Sequence, residues 1–231
     1  MRGFPLIVLP IQFRFAVAAI GFLYVCLTGS SQIVINEIHY DPESPTSLTE
    51  YVELYNNSNQ DVDLTGWNFS SGLTYVFPES TVLPAKSYYV ITESKLHYSS
   101  VFKKDPDGEF TAGQLANEGE RIALKDSTGN LIDEVKYKPE FPWPVPAAGG
   151  GASMELMNPN LDNDLGGSWR ASLSPTPGDL NSAFRTNSPP QVRQVRHYPQ
   201  QPKDFQNTLI QAKVSDPDLV GTVRLYYQVV A

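Results

Sequence analysis

From Gln32 onward, short runs of β-branched and aromatic residues alternate with turn formers at spacings of about ten residues, the pattern of half-buried strands. IVINEIHY (33–40) is strand-like and stops at Asp41-Pro42. EYVELYN (50–56) puts Val52 and Leu54 on one face and Tyr51, Glu53 and Tyr55 on the other. VDLTGWNFS (62–70), LTYVF (73–77), Thr81–Leu83 and SYYVIT (87–92) follow, separated by Gly66, Pro78 and Pro84. Residues 93–113 are irregular, with Asp105-Pro106-Asp107-Gly108 as a turn. ERIALK (120–125) and LIDEVKY (131–137) flank DSTGN (126–130), a hairpin signature in which Gly129 supplies positive φ. Pro139–Pro146 is too proline-rich for a central strand, ASMELM (152–157) reads as one more strand, and residues 158–181 are loop-rich.

No segment carries a sustained 3.6-residue apolar repeat, so the expectation is an all-β, antiparallel sandwich. Trp67, Phe69, Phe77, Tyr89, Val90 and Trp169 are its candidate core residues. Ser188–Pro202 carries Pro189-Pro190, Pro199 and Pro202 and reads as linker. LIQAKVSDPD (209–218) and TVRLYYQVV (222–230) then read as two strands around a turn, the start of an incomplete second β domain. The expected organisation is a leader at 1–31, a sandwich at 32–185, a linker at 186–204 and a domain fragment at 205–231.

Charge narrows the partners. The net charge of −8 is concentrated in residues 32–187, where 22 Asp and Glu face 10 Lys and Arg. Such a surface repels phosphate backbones, which argues against nucleic acid. Arg2 and Arg14, the 13-residue apolar run Phe15–Leu27 and the small residues Thr28–Ser31 have the form of an export signal. That run is short of the ~20 residues that span a bilayer, so no membrane association is expected once the leader is cleaved; the alternative is an uncleaved anchor that also draws on the apolar Phe4–Phe13. The only cysteine, Cys26, lies in it, so the remainder has neither disulfide nor cysteine metal site.

Several phrases, in order, resemble the lamin-tail family. They are Ile35-Asn36-Glu37-Ile38, Glu50–Asn56, Val62-Asp63-Leu64-Thr65-Gly66-Trp67, Tyr75-Val76-Phe77-Pro78, and Asn117-Glu118-Gly119-Glu120 running into 121–137. Trp169 with Thr176-Pro177-Gly178 closes the set. The resemblance covers residues 33–181 and implies an immunoglobulin-like sandwich of the kind found on nuclear lamins and on bacterial secreted proteins. Val214-Ser215-Asp216-Pro217-Asp218 resembles the opening of β-sandwich linkers in large bacterial surface proteins. There, lamin-tail modules often accompany a kinase-like domain similar to spore-coat protein H, which makes an accessory role in a larger extracellular enzyme the alternative function.

The candidate chemistry is sparse. Glu37, His39 and Asp41 share one side of the first strand and, with Glu53, are candidate calcium ligands. The competing reading is a polar strand face that hydrogen-bonds to loops. Asp162, Asn163 and Asp164 lack an EF-hand register and read as a turn, as do Asp216 and Asp218. His39, His97 and His197 are scattered, and neither a G-x-S-x-G elbow nor a P-loop is present, so no enzyme is expected. Trp143, among prolines, is the candidate exposed contact for a partner, a protein or a cell-surface glycan. Apart from calcium, no cofactor is implied. Together these features point to a non-catalytic interaction or scaffold module of an exported bacterial protein, joined to further domains of the same polypeptide.

Overall fold

The computed structural model describes residues 32–44, 47–188 and 190–201, together with 203, 206, 208–216 and 223. The leader (1–31) and most of the anticipated strand at 222–230 lie outside these residues. The first strands are β1 (Ile33–His39), β2 (Tyr51–Asn56), β3 (Val62–Asp63), β4 (Asn68–Ser71), β5 (Leu73–Val76), β6 (Val82–Leu83) and β7 (Tyr88–Thr92). A helix, α1 (Lys95–Phe102), precedes β8 (Gly108–Glu109), β9 (Ala112–Gly113), β10 (Arg121–Lys125) and β11 (Leu131–Lys136). Then come β12 (Ser153–Leu156), β13 (Trp169–Ser172), β14 (Gln191–Tyr198) and β15 (Leu209–Ser215).

Two sheets form the sandwich expected from the strand pattern. One runs β13-β12-β1-β2-β7-β8 and the other β11-β10-β4-β5-β9, with β3 and β6 as a separate pair. Among the described residues all pairings are antiparallel except β7 with β8, which is parallel. Ile35, Ile38, Val52, Leu54, Ile91, Met154 and Leu156 of the first sheet pack with Phe69, Leu73, Ile122, Leu124 and Val135 of the second. Phe77 and Trp169 are fully buried in this core, whereas Trp67 is half-buried against it.

The β10–β11 hairpin closes as its turn residues dictate. Asp126 Oδ1 accepts from the Thr128 and Asn130 amides at 2.9 Å each, and Gly129 takes φ +90°. β1 is buried along its whole length, because the sheet is covered on its outer face too. There, Tyr51 and Val90 pack with Tyr98 and Phe102 of α1.

The helix corrects the irregular reading of residues 93–113. Ser94 caps it by accepting from His97 N, and Lys103 ends it in the left-handed region. Only Tyr98 is buried and Phe102, four residues on, packs beside it, so eight residues carry too narrow an apolar stripe to show as a repeat. The 158–181 stretch contains β13, which pairs with β12 from Ser153↔Ser172 to Leu156↔Trp169. The presumed linker also contains a strand. β14 occupies the proline-free run between Pro190 and Pro199 and pairs with β15, from Gln191↔Ser215 to Tyr198↔Leu209. Prolines restrain only its ends, and the Val and Tyr content between them favours extension.

Candidate functional site

The polar chemistry gathers on the outer face of the six-stranded sheet, and a bulge puts it there. The register of β1 against β2 shifts between Ile35 and Glu37, so Asn36 is the extra residue and the inward alternation Ile33, Ile35 resumes at Ile38. Asn36 and Glu37 both leave the core. Glu37 stands opposite Glu53 on β2 and Glu155 on β12, which makes a row of three carboxyls across adjacent strands. Each is 0% exposed.

A segment after β13 lies over this row and donates to it. Thr176 N–H reaches Glu37 Oε1 at 3.2 Å, Gly178 N–H reaches Glu53 Oε2 at 2.5 Å, and Thr176 Oγ1 reaches Glu155 Oε1 at 3.0 Å. Ser182 Oγ and Ala183 N–H bond Glu155 Oε2 at 2.8 and 2.7 Å. Asn181 Nδ2 donates to the carbonyls of Asn36 and Leu156, and its Oδ1 accepts from Asn36 Nδ2. Lys104 pins the segment's edge, donating to Pro177 O at 2.8 Å and pairing with Asp179. Thr-Pro-Gly was visible in the sequence as a closing phrase. Its partner Glu155, and the role of Asn181, were not.

Burial sets the protonation. Glu37 is pushed up to about 7, chiefly by desolvation, against the lowering effect of hydrogen bonds from Ser153 and Tyr51. Glu53 is raised by burial and then by the Glu37 charge. Asp133 on β11 is also raised to about 7 by burial, although Ile35 N–H and Asn163 Nδ2 both donate to it, at 2.6 and 2.7 Å.

The four candidate calcium ligands do not converge. Glu37 and Glu53 are neighbours, but His39 turns both ring nitrogens to carbonyls, Nδ1 to Thr49 at 3.0 Å and Nε2 to Gly151 at 3.2 Å. Desolvation holds its imidazole below the ordinary value, against those two carbonyls. Asp41 instead accepts from Asn117 Nδ2 at 3.0 Å. Among the described residues no group of three or more His, Cys, Asp or Glu is placed to hold a metal ion. Asn163 and Asp164 of the acidic loop are stitched to the sandwich, Asn163 through Asp133 and Asp164 by accepting Lys136 N–H at 2.7 Å. Asp218 lies outside the described residues. His97 sits on α1 and His197 on β14, away from any shared constellation with His39 on β1.

Trp143 is not the exposed contact its proline-rich setting suggested. It is 6% exposed and packs against Trp169 with ring centroids 6.4 Å apart, while Trp169 Nε1 donates to Asn163 O at 2.8 Å. The loop folds its largest apolar surface inward and leaves Phe141, 85% exposed, outside.

Beside the covering segment lies a cleft of about 80 Å³, lined by Tyr55, Tyr88, Leu156, Pro159, Leu180 and Phe184 over Asn36 and Asn181. Tyr55 and Tyr88 tilt against each other with centroids 5.0 Å apart. Leu180, at its rim, is 60% exposed.

Residues 28–139 match the Lamin Tail Domain family, an immunoglobulin-like domain that is generally non-catalytic. No curated protein matches the chain. The match spans β1 to β11; β12, β13 and the segment that covers the carboxyl row lie beyond it.

Proposed function

We propose, with residues 28–139 taken as a lamin tail domain, that the chain is a non-catalytic interaction module of an exported bacterial protein, acting by surface contact. The observation that carries this reading is the internal use of its buried polar groups. Glu37, Glu53, Glu155, Asp133 and His39 all face donors or carbonyls of the fold itself. What the surface offers instead is the Tyr55–Tyr88 cleft with Leu180 at its rim. The amides of Asn36 and Asn181 beneath it are already engaged. The cleft therefore presents aromatic faces and apolar edges, which suit an apolar side chain of a protein partner better than a glycan. The positively charged, apolar leader supports export.

The test is a photoreactive side chain at Leu180. It should crosslink envelope proteins in the source cells, and Tyr88→Ala should abolish the adducts. Adducts indifferent to Tyr88→Ala would remove the cleft from the proposal. Turnover of ester, peptide, glycoside or phosphate substrates by the purified chain would remove the non-catalytic reading.

The β14–β15 ribbon supports a second β unit in the same polypeptide. Val192, Val195, Leu209 and Ile210 are exposed on it, and a two-stranded sheet is marginal by itself.

A further inference from the structure

Glu37 is the middle member of the carboxyl row, and its two oxygens are unlike. Oε1 accepts from the Tyr51 hydroxyl at 2.6 Å, Ser153 Oγ at 2.5 Å and Thr176 N–H at 3.2 Å. Oε2 is buried and has no hydrogen-bond partner among the described residues. In Glu53 and Glu155, by contrast, both oxygens accept. Three adjacent buried negative charges repel one another with little solvent screening, so one member is best neutral. An oxygen that accepts nothing can carry a proton without displacing any donor. The acceptor geometry thus selects Glu37 over its neighbours.

We propose that Glu37 is a proton-binding switch: folded, it carries a proton on Oε2, and loss of that proton loosens the covering segment 174–183 from the sheet. The groups that face it fit this assignment. Tyr51 and Glu53 approach from β2, Glu155 from β12 and the Tyr98 hydroxyl from α1. Lys104, paired with Asp179 of the covering segment, supplies positive charge on the Glu53 side and favours the charged form of Glu53. His39, two residues along β1, is turned to the Thr49 and Gly151 carbonyls.

The direction of the pH effect follows from burial. The folded carboxyl holds its proton up to about 7, against 4.5 in the unfolded chain. The stabilising effect of that proton is complete below the unfolded value and is lost as pH rises through the folded one. Thr176 N–H favours the charged form, but burial, which the segment completes, outweighs it, so the segment is held tightest in mild acid and released above neutral pH, where opening lets water reach the carboxylate.

Infrared spectra of the purified chain and of Glu37→Gln at pH 6 test the proton directly. The wild type should show a protonated-carboxyl stretch that Glu37→Gln lacks, and that difference should vanish by pH 9. Hydrogen exchange tests the release. Corrected for intrinsic rates, protection of the Gly178 and Ala183 amides should fall about tenfold or more between pH 6 and 8.5 in the wild type. In Glu37→Gln it should stay flat. Ser153→Ala removes a donor that favours the charged form, so it should move the loss of the band to higher pH, and it serves if Glu37→Gln does not fold. No band difference at pH 6, wild-type pH dependence in Glu37→Gln, or an unmoved band in Ser153→Ala would each overturn the proposal.

Discussion

Asn181→Ala should be among the most damaging polar substitutions in the covering segment, although nothing in the sequence marks the position. The side chain is buried, and its Nδ2 donates to Asn36 O at 3.0 Å and Leu156 O at 2.9 Å. Its Oδ1 takes a hydrogen from Asn36 Nδ2 at 3.0 Å. Truncation orphans two buried carbonyls on neighbouring strands and half of the Asn36 amide. A typical hydrogen bond contributes about 1 kcal/mol net, and a stranded buried group costs about 1–3 kcal/mol. Because each carbonyl keeps a second lone pair, the sum falls at about 2–4 kcal/mol. For a unit of this size that lowers Tm by about 5–15 °C, or the urea midpoint by about 1–2 M. Urea unfolding followed by fluorescence of the buried Trp169 is the assay. Asn160→Ala, which removes an exposed contact with Asn57 at 2.8 Å, is the control and should stay within about 0.5 kcal/mol. A loss below about 1 kcal/mol for Asn181→Ala would refute the reasoning, because the segment would then rest on the sheet without being fastened to it.

Trp143→Ala removes an indole packed on Trp169 and should cost about 3–5 kcal/mol in the same titration, whereas Phe141→Ala, at an exposed ring, should be nearly silent. Glu50, which accepts Leu115 N–H at 2.7 Å, is raised to about 7 by burial and then by Glu93, Glu120 and Asp41. Its folded form therefore holds the proton more tightly than the unfolded chain, and its contribution is present below about 4.5 and lost as pH rises through 7. Thermal melts between pH 5 and 8 should show a smaller decline with rising pH in Glu50→Gln than in the wild type.

The sandwich was legible because its signals are local. β-branched runs, the Asp126–Asn130 turn and proline stops each act over a few residues, and the hairpin formed where they placed it. The site was half legible. Alternation put Glu53 off the core face of β2 and Glu37, His39 and Asp41 on one side of β1, the side of Ile33 and Ile35. The bulge at Asn36 is what turns Glu37 away from the core and beside Glu53, and His39 and Asp41 do not join them. What decided against a cation site were carbonyls from Thr49 and Gly151 and an amide from Asn117, all remote in sequence or in a loop. Glu155 joins the row only through a pairing 118 residues away from Glu37 in the chain, a separation that no periodicity reports. Trp143 failed for a related reason. Prolines around it signalled a loop, and a loop can still turn one large ring inward when a partner such as Trp169 waits in the core.

The position of the family match sharpens what the folded unit must contain. It ends at residue 139, yet some of the donors to its own buried acids come from further along. Glu37 takes Ser153 and Thr176, Glu53 takes Gly178, and Asp133 takes Asn163. β12 also occupies the side of β1 opposite to β2. Cut at 139, the sheet would lose that neighbour and expose an edge, and Glu37 and Glu53 would keep Tyr51 and Asn36 as donors but lose their other donors together with their cover. A buried carboxylate without donors is far more costly than a buried one with them. The bulge at Asn36 therefore makes sense only with the later segment in place: it turns two polar residues outward into a face that residues 153–183 complete. The same dependence explains how the sandwich can retain so many buried acids, since their oxygens accept from residues on both sides of residue 139.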